Sequence, residues 1–191
     1  GVSKEDREVA KRTAYGIIYG QGYANLAESL GITEGAAKQH IGSFMACFPG
    51  VKAFVKRLPE EARAEGVVRT MSGRARPIEQ ARPGDNKARA RADRQAVNSP
   101  IQGTAADLIK LAMVAWGQWE DAEAASGRGP SAQLISQIHD ELVFEVVEGE
   151  EARIARVVKG IMEGVCPSLR AALKVNISVG RAWGSMSKME V

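Results

Sequence analysis

Cysteine and histidine are both scarce, with two of each in 191 residues. Cys47 and Cys166 build no framework of bridges, which points to a reducing intracellular compartment. With no cysteine pair at CxxC spacing and only His40 and His139 beside them, the pattern of a structural zinc site is missing. Long apolar runs are missing too. None approaches the ~20 residues of a membrane span, and Gly1-Val-Ser-Lys-Glu-Asp-Arg7 lacks the layout of a signal peptide. There is no internal repeat and no low-complexity tract. What is present is the composition of a folded domain, 45% hydrophobic and 26% charged. The length suits one ordinary domain or two small subdomains.

The net charge of +3 is mild, but it is unevenly placed. Between Arg69 and Arg94 lie Arg69, Arg74, Arg76, Arg82, Lys87, Arg89, Arg91 and Arg94, against Glu79, Asp85 and Asp93. Such a stretch is the footprint of a polyanion partner, or on charge alone a solvated face.

The first ~66 residues read as helices separated by glycines. Helices are expected over Lys4 to about Tyr15, over Tyr23 to Leu30 with Gly31 ending it, and from an N-cap at Thr33 to the Pro49-Gly50 turn. Val51, Phe54, Val55 and Leu58 continue at helical spacing. A short hairpin is expected over Val67–Met71 and the residues after Ser72-Gly73, then a loop over residues 80–86. A basic helix follows from about Asn86 to Val97. Pro100 divides it from a second helix, with Thr104 and Asp107 at capping-box-like spacing, that runs to about Ala125. Leu134 to Val147 reads as two strands, Gly149 to Val165 as a helix, and Leu173 to Val179 as a final strand. This order predicts an α+β fold.

Two local patterns carry chemistry. In Leu134–Val147, His139-Asp140-Glu141 occupies the tip between two strands. Two-residue hairpin turns favour glycine there, because a central residue needs positive φ. A carboxylate on a rigid strand end suits Mg²⁺, which keeps several waters and uses one or two protein carboxylates; a polar turn without function has the same letters. The second pattern is Arg7, Lys11, Tyr15 and Tyr19, four apart. Successive steps drift by ~40°, so all four share a face ~120° wide. Cations followed by an aromatic ring suit a nucleoside triphosphate, with charge for phosphate and a ring for stacking. A solvated basic face beside a core tyrosine is the bland alternative.

The run Arg7-x3-Lys11-x3-Tyr15-Gly16-x2-Tyr19-Gly20 resembles the nucleotide-binding fingers helix of family A DNA polymerases, the polymerase I type. The His139-Asp140-Glu141 hairpin is similar to that family's second palm carboxylate motif. Between them, Arg94-Gln-Ala-Val-Asn98-Ser-Pro-Ile-Gln102 resembles the helix that tracks the primer–template minor groove. The three motifs stand in the family's order, and the wording around Tyr15 and Asn98 is similar to the eukaryotic theta and nu repair polymerases.

The resemblance implies helical fingers over residues 1–98 and, over 99–191, part of a palm with a small antiparallel sheet and flanking helices. It implies a DNA-directed DNA polymerase that extends a primer by two-metal phosphoryl transfer with Mg²⁺. Arg7 and Lys11 would contact the incoming triphosphate, and Lys11 would assist the leaving pyrophosphate. Tyr15 would pack on sugar and base; a tyrosine there goes with acceptance of dideoxynucleotides. Tyr19 would hold the place of the templating base. Arg94, Asn98 and Gln102 would check minor-groove acceptors shared by all correct pairs. His139 would position the primer end, Asp140 would ligate metal, and Glu141 would join the catalytic group.

The segment Gly73-Arg74-Ala75-Arg76-Pro77 resembles the family's Gly-Arg-Arg-x-x-Leu-Pro, with Ala75 replacing one arginine, so Arg74 and Arg76 are expected as general DNA contacts. Primer–template DNA and deoxynucleoside triphosphates are the implied partners, with no membrane. The compartment would be a nucleus for a theta- or nu-like enzyme, otherwise a mitochondrion or bacterial cytoplasm. The family's first palm strand, Asp-Tyr-Ser-x-Ile-Glu-like, should precede the fingers helix. Only six residues precede Arg7. The natural chain is therefore expected to continue upstream with the thumb and that strand, with or without an exonuclease or helicase region, and the 191 residues alone to be inactive. A non-catalytic DNA-binding module and a single-subunit RNA polymerase remain as alternatives. Asp107 is expected as a helix cap, His40 as a surface residue, Trp116, Trp119 and Trp183 as packing residues, and Met45, Met113 and Met162 as core filling.

Overall fold

The computed structural model describes residues 3–79 and 85–191; Arg82 and most of the expected 80–86 loop lie outside the described residues. The chain divides into two compact units, Gly1–Thr104 and Ala105–Val191. The first holds α1 (Lys4–Ile18), α2 (Tyr23–Leu30), α3 (Glu34–Cys47), α4 (Pro49–Glu65), a hairpin of β1 (Val67–Arg69) and β2 (Ala75–Pro77), and the start of α5 (Asn86–Ala125). The second holds the rest of α5, β3 (Ala132–Ile138), β4 (Glu141–Val146), α6 (Glu151–Gly164), β5 (Ile177–Val179) and β6 (Ser187–Met189). The described strands form three separate antiparallel pairs, an α+β arrangement.

Capping sets several helix ends. Ser3 and Asp6 form a reciprocal capping box that starts α1. Thr33 caps α3 through the Ala36 N–H, as its place in the sequence predicts, and Gly31 ends α2 at φ 67°. Helix α1 runs one turn beyond the expected end, to Ile18, because Thr13, Gly16 and Ile17 are buried and hold that turn. Pro49 belongs to the first turn of α4 rather than to a turn before it. A proline there forfeits no helical hydrogen bond.

The largest difference from the sequence reading is at Pro100. Instead of two helices, one 40-residue helix passes through it. Pro100 lacks the N–H that would bond Ala96 O, and the helix continues past that one missing bond. Ser99 Oγ donates to Gln95 O at 2.5 Å, and Thr104 Oγ1 donates to Pro100 O at 2.6 Å. Thr104 and Asp107 therefore sit inside a helix and cap nothing; the cap is Asp85, whose Oδ1 accepts from Ala88 N at 2.8 Å. The expected final strand over 173–179 is shorter, only β5, and pairs with β6, which sequence reading did not anticipate.

In the first unit, Ala62, Val68, Ile78 and Ala96 form one core and Leu26, Ala27 and Ala37 another. In the second, Trp116, 2% exposed, packs with Ala132, Ile154 and Val158. Trp119 and Phe144 lie with their ring centroids 4.7 Å from that of Trp116. Truncating such a tryptophan costs about 3–5 kcal/mol. Trp183 departs from the packing role expected of it, being 58% exposed. Both cysteines are free, His40 is exposed, and no described helix is long and apolar enough to cross a membrane.

Candidate nucleic-acid interface

The expected site residues fall into two sets, one in each unit. On α1 the hydrophobic stripe turns Thr13, Gly16 and Ile17 inward, which leaves Arg7, Lys11, Tyr15 and Tyr19 all exposed. Their rings and charges form a continuous strip. Lys11 Nζ lies 5.9 Å from the Tyr15 ring centroid, and the Tyr15 and Tyr19 centroids are 6.1 Å apart. The neighbouring Arg12 points elsewhere and donates to Ser29 O at 2.7 Å. Among the described residues neither Arg7 nor Lys11 is engaged in an ion pair, so both remain available to an anion.

Tyr19 closes α1 and meets α5. Gly20 follows at φ 65°, and a Cβ built there would stand 2.7 Å from Arg94 Cγ. Only glycine combines that backbone with that approach. Together, Tyr19 and α5 line a cavity of about 270 Å³ with Arg76, Arg91, Arg94, Gln95, Asn98, Ser99 and Gln102. Five residues singled out by sequence thus meet around one space: Tyr19, Arg76, Arg94, Asn98 and Gln102. Asn98 Oδ1 is buried without a partner. Such an orphan costs about 1–3 kcal/mol unless something binds it.

Arg76 reaches the cavity through strand register. It pairs with Val68, whose side chain is buried against Ala96 of α5, whereas Ala75 pairs with Arg69. Directly paired residues share a sheet face, so Arg76 is carried toward α5 and Ala75 away from it. Arg74 takes another role. Its Nη2 donates to Gly103 O at 3.0 Å, and Met71 N donates to Thr104 Oγ1 at 3.0 Å, docking the hairpin on α5. A Cβ on Gly103 would lie 2.6 Å from Thr70 Cγ2.

Gln95 and Ser99 were not singled out by the sequence reading, and Arg91 entered it only as one charge of the Arg69–Arg94 stretch. Their signal was helical spacing, since Arg91 and Gln95 stand one turn apart on the face that carries Asn98 and Gln102.

In the second unit, β3 and β4 pair Ile138 with Glu141, leaving His139-Asp140 as a two-residue turn. His139 has φ 54° and is the only non-glycine with positive φ among the described residues. Positive φ at the first central position alone is the type II′ pattern, where glycine is the usual occupant. Gln137 Nε2 donates to His139 O at 2.5 Å and braces the turn. His139, Asp140 and Glu141 are all exposed. No cluster of three metal-ligating side chains occurs among the described residues.

The strongest ion network lies away from these residues. Arg153 donates to Glu150 Oε2 (2.5 Å), Glu123 Oε2 (2.9 Å) and Ser131 Oγ (2.7 Å), and its guanidinium lies 5.5 Å from the Trp119 ring centroid. Glu150, then Glu123, hold Arg153 charged beyond its ordinary range. Glu123 is lowered, chiefly by its bond from Arg128 and also by Arg153, against some desolvation. Every carboxylate there is matched by a guanidinium, so the network ties elements together and leaves no free charge for a ligand.

A family model described as DNA polymerase family A matches residues 1–185. The chain is 40% identical over 188 residues to DNA polymerase I of Chloroflexus aurantiacus, covering 98% of this chain and 19% of that protein. It is 36% identical over 192 residues to DNA polymerase theta of Drosophila melanogaster, covering 100% of this chain and 9% of that protein. A solved structure, the POL domain of Pol1 from M. smegmatis in complex with DNA primer-template and dNTP, matches with a TM-score of 0.77 at 34% identity. That match covers 87% of this chain and 28% of the other. The chain thus spans a fifth or less of the curated relatives named here.

Proposed function

The chain belongs to DNA polymerase family A, and from that membership we propose that it supplies the nucleotide-binding and primer–template-reading part of a DNA-directed DNA polymerase, together with one of its catalytic carboxylates. The observation that carries this reading is the convergence of Tyr19, Arg76, Arg94, Asn98 and Gln102 on one cavity, beside an exposed Arg7–Lys11–Tyr15 strip on the same helix as Tyr19.

In this reading the triphosphate of an incoming deoxynucleotide lies along α1. Arg7 binds it through a planar fork and Lys11 through a compact charge. Lys11 also stabilises the pyrophosphate as it leaves and can pass it a proton from Nζ. Tyr15 packs on sugar and base, and Tyr19 holds the templating position. Arg94, Asn98 and Gln102 hydrogen-bond the minor groove and test the shape of a pair without reading its sequence.

His139 positions the primer end from its turn. The carboxylate of Asp140, exposed and without a hydrogen bond or ion pair among the described residues, fits one ligand position of a hard divalent cation such as Mg²⁺, with Glu141 beside it. Bound there, the metal would supply charge neutralisation at phosphate and activation of the primer hydroxyl. A second carboxylate has to come from elsewhere in the polymerase, so the 191 residues alone are expected not to extend a primer.

Nucleotide incorporation by the longest natural polypeptide containing these residues tests the proposal. Template-directed, divalent-metal-dependent addition of deoxynucleotides to a recessed primer is the expected result. Tight binding of primer–template without any extension would instead make this a polymerase fold kept for DNA binding. A preference for ribonucleotides would make it an RNA polymerase.

A further inference from the structure

Arg12 follows Lys11 directly, yet it belongs to none of the three motifs. One residue turns a helix by ~100°, which takes Arg12 off the face of Arg7, Lys11 and Tyr15. Its Nη1 donates instead to Ser29 O of α2 at 2.7 Å, 17 residues away in sequence. We propose that Arg12 is a positioning residue for the incoming nucleotide: by latching α2 to α1 it fixes the tilt of the strip that receives the triphosphate. The proposal rests on the nucleotide-binding role given above to Arg7, Lys11 and Tyr15.

Leverage is the first ground. The buried residues of α1, Thr13, Gly16 and Ile17, all lie in its second half. There the two helices touch closely, since a Cβ on Gly16 would stand 3.3 Å from Leu26 Cδ1 and 3.1 Å from Gln21 Oε1. Gln21 N also donates to Gly16 O at 2.7 Å, which closes the joint between α1 and α2. Ahead of this joint, residues 4–12 are exposed apart from half-buried Val9. Among the described residues Arg12 provides the only side-chain hydrogen bond from α1 to another element. It sits one turn before Gly16, and Ser29 three residues after Leu26, as antiparallel helices require. With the joint alone, the first half of α1 is a lever. At 1.5 Å per residue Arg7 lies ~18 Å from Tyr19, so a tilt of ~5° carries it by roughly 1.5 Å. A misplacement of about 1 Å can cost as much as a hundredfold in a positioned reaction.

The end of α2 is the second ground. Ser29 O is one of the last four carbonyls of that helix, which have no partner within it. The Gly31 N–H meets Ala27 O and Glu28 O, and Arg12 meets Ser29 O. A guanidinium there also faces the negative end of the helix dipole. At eight residues α2 is too short to be stable in isolation, so this cap steadies the element on which α1 lies. Glu8 is a looser neighbour, with its Oε1 4.0 Å from Arg12 Nε. An exposed pair of that kind contributes little, which leaves the role to the bond with Ser29.

The test uses the longest natural polypeptide containing these residues and follows single-turnover nucleotide incorporation on a recessed primer–template. Arg12→Ala is expected to raise the nucleotide concentration for half-maximal rate by about tenfold, with the saturating rate and primer–template affinity within about twofold of wild type. A residue that only held the fold together would depress all three. Arg12→Lys can still donate to one carbonyl and should recover most of the loss. Glu8→Gln should behave as wild type.

Unchanged half-saturation in Arg12→Ala would overturn the latch. So would an equal fall in saturating rate and DNA affinity, or a loss that Glu8→Gln reproduces. In each of these cases incorporation by the wild type leaves the polymerase reading standing. Failure of the wild type to incorporate any nucleotide would overturn that reading and the latch with it.

Discussion

Gly20 lies against the stem of Arg94 so closely that a methyl group on it would stand 2.7 Å from Arg94 Cγ. This contact joins the end of α1 to α5, and it allows Tyr19 and Arg94 to line the same cavity. Gly20→Ala must adopt φ 65° with a side chain, at roughly 1–2 kcal/mol, and must also displace Arg94. In the full polymerase the variant is expected to lose primer–template affinity while keeping its helical content. Unchanged affinity would show that Arg94 can move without consequence.

Lys11 stands within the exposed strip of α1, without an ion pair among the described residues and with its Nζ near the Tyr15 ring. Lys11→Ala is expected to lower kcat/KM for the incoming nucleotide by about a hundredfold or more, because the proposed role of Lys11 is to give the leaving pyrophosphate both a charge and a proton. Primer–template affinity should hardly change. Single-turnover incorporation, with binding measured in parallel, separates the two effects.

Tyr15 is 51% exposed on the same strip, with its ring free to meet a ligand. Tyr15→Phe is expected to keep normal deoxynucleotide incorporation and to discriminate more strongly against dideoxynucleotides. Competition between the two substrates on one template position reads this out. Equal discrimination in both forms would remove Tyr15 from the sugar-contacting role.

Glu123 links α5 to the strand start and to α6 through Arg128 and Arg153. Its carboxyl lies below the ordinary value of 4.5 in the folded chain, so folding favours the ionised form. The stabilisation is fully present above pH 4.5 and is lost as pH falls through the lower folded value. Thermal midpoints of wild type and Glu123→Gln should therefore differ near pH 6 and converge on acidification. A difference that persists in strong acid would contradict the ionic role of Glu123.

Much of the architecture was legible because short-range rules decided it. Thr33 as a cap and Gly31 as a helix end follow from capping chemistry, and the hairpin tip from the strands that flank it, although Glu141, expected at the tip, opens β4. Spacing alone also placed Arg7, Lys11, Tyr15 and Tyr19 on one face. Pro100 misled because a helix whose Ala96, Val97, Ala112 and Trp116 are buried survives the loss of one internal hydrogen bond, which shows only once the helix is packed. That error separated Gln102 from the face that Arg91 and Gln95 share with it. The roles of Arg74 and Arg76 were equally obscure, since sequence shows two arginines two apart but not which partner each strand residue has. The strand β6 carries no alternating pattern and exists through its pairing with β5.

Asp140 offers the most direct test, as the exposed carboxylate at the tip of a turn whose first residue is held at positive φ. The measurement is primer extension by the longest natural polypeptide containing these residues, with Mg²⁺ and a recessed template, beside its Asp140→Ala variant. Metal-dependent catalysis at this hairpin predicts that the parent extends the primer. The variant should bind primer–template normally and extend it at a rate lower by about a thousandfold or more. Extension by the variant at a rate close to that of the parent would contradict the assignment of Asp140 and, with it, the catalytic role given to the β3–β4 hairpin.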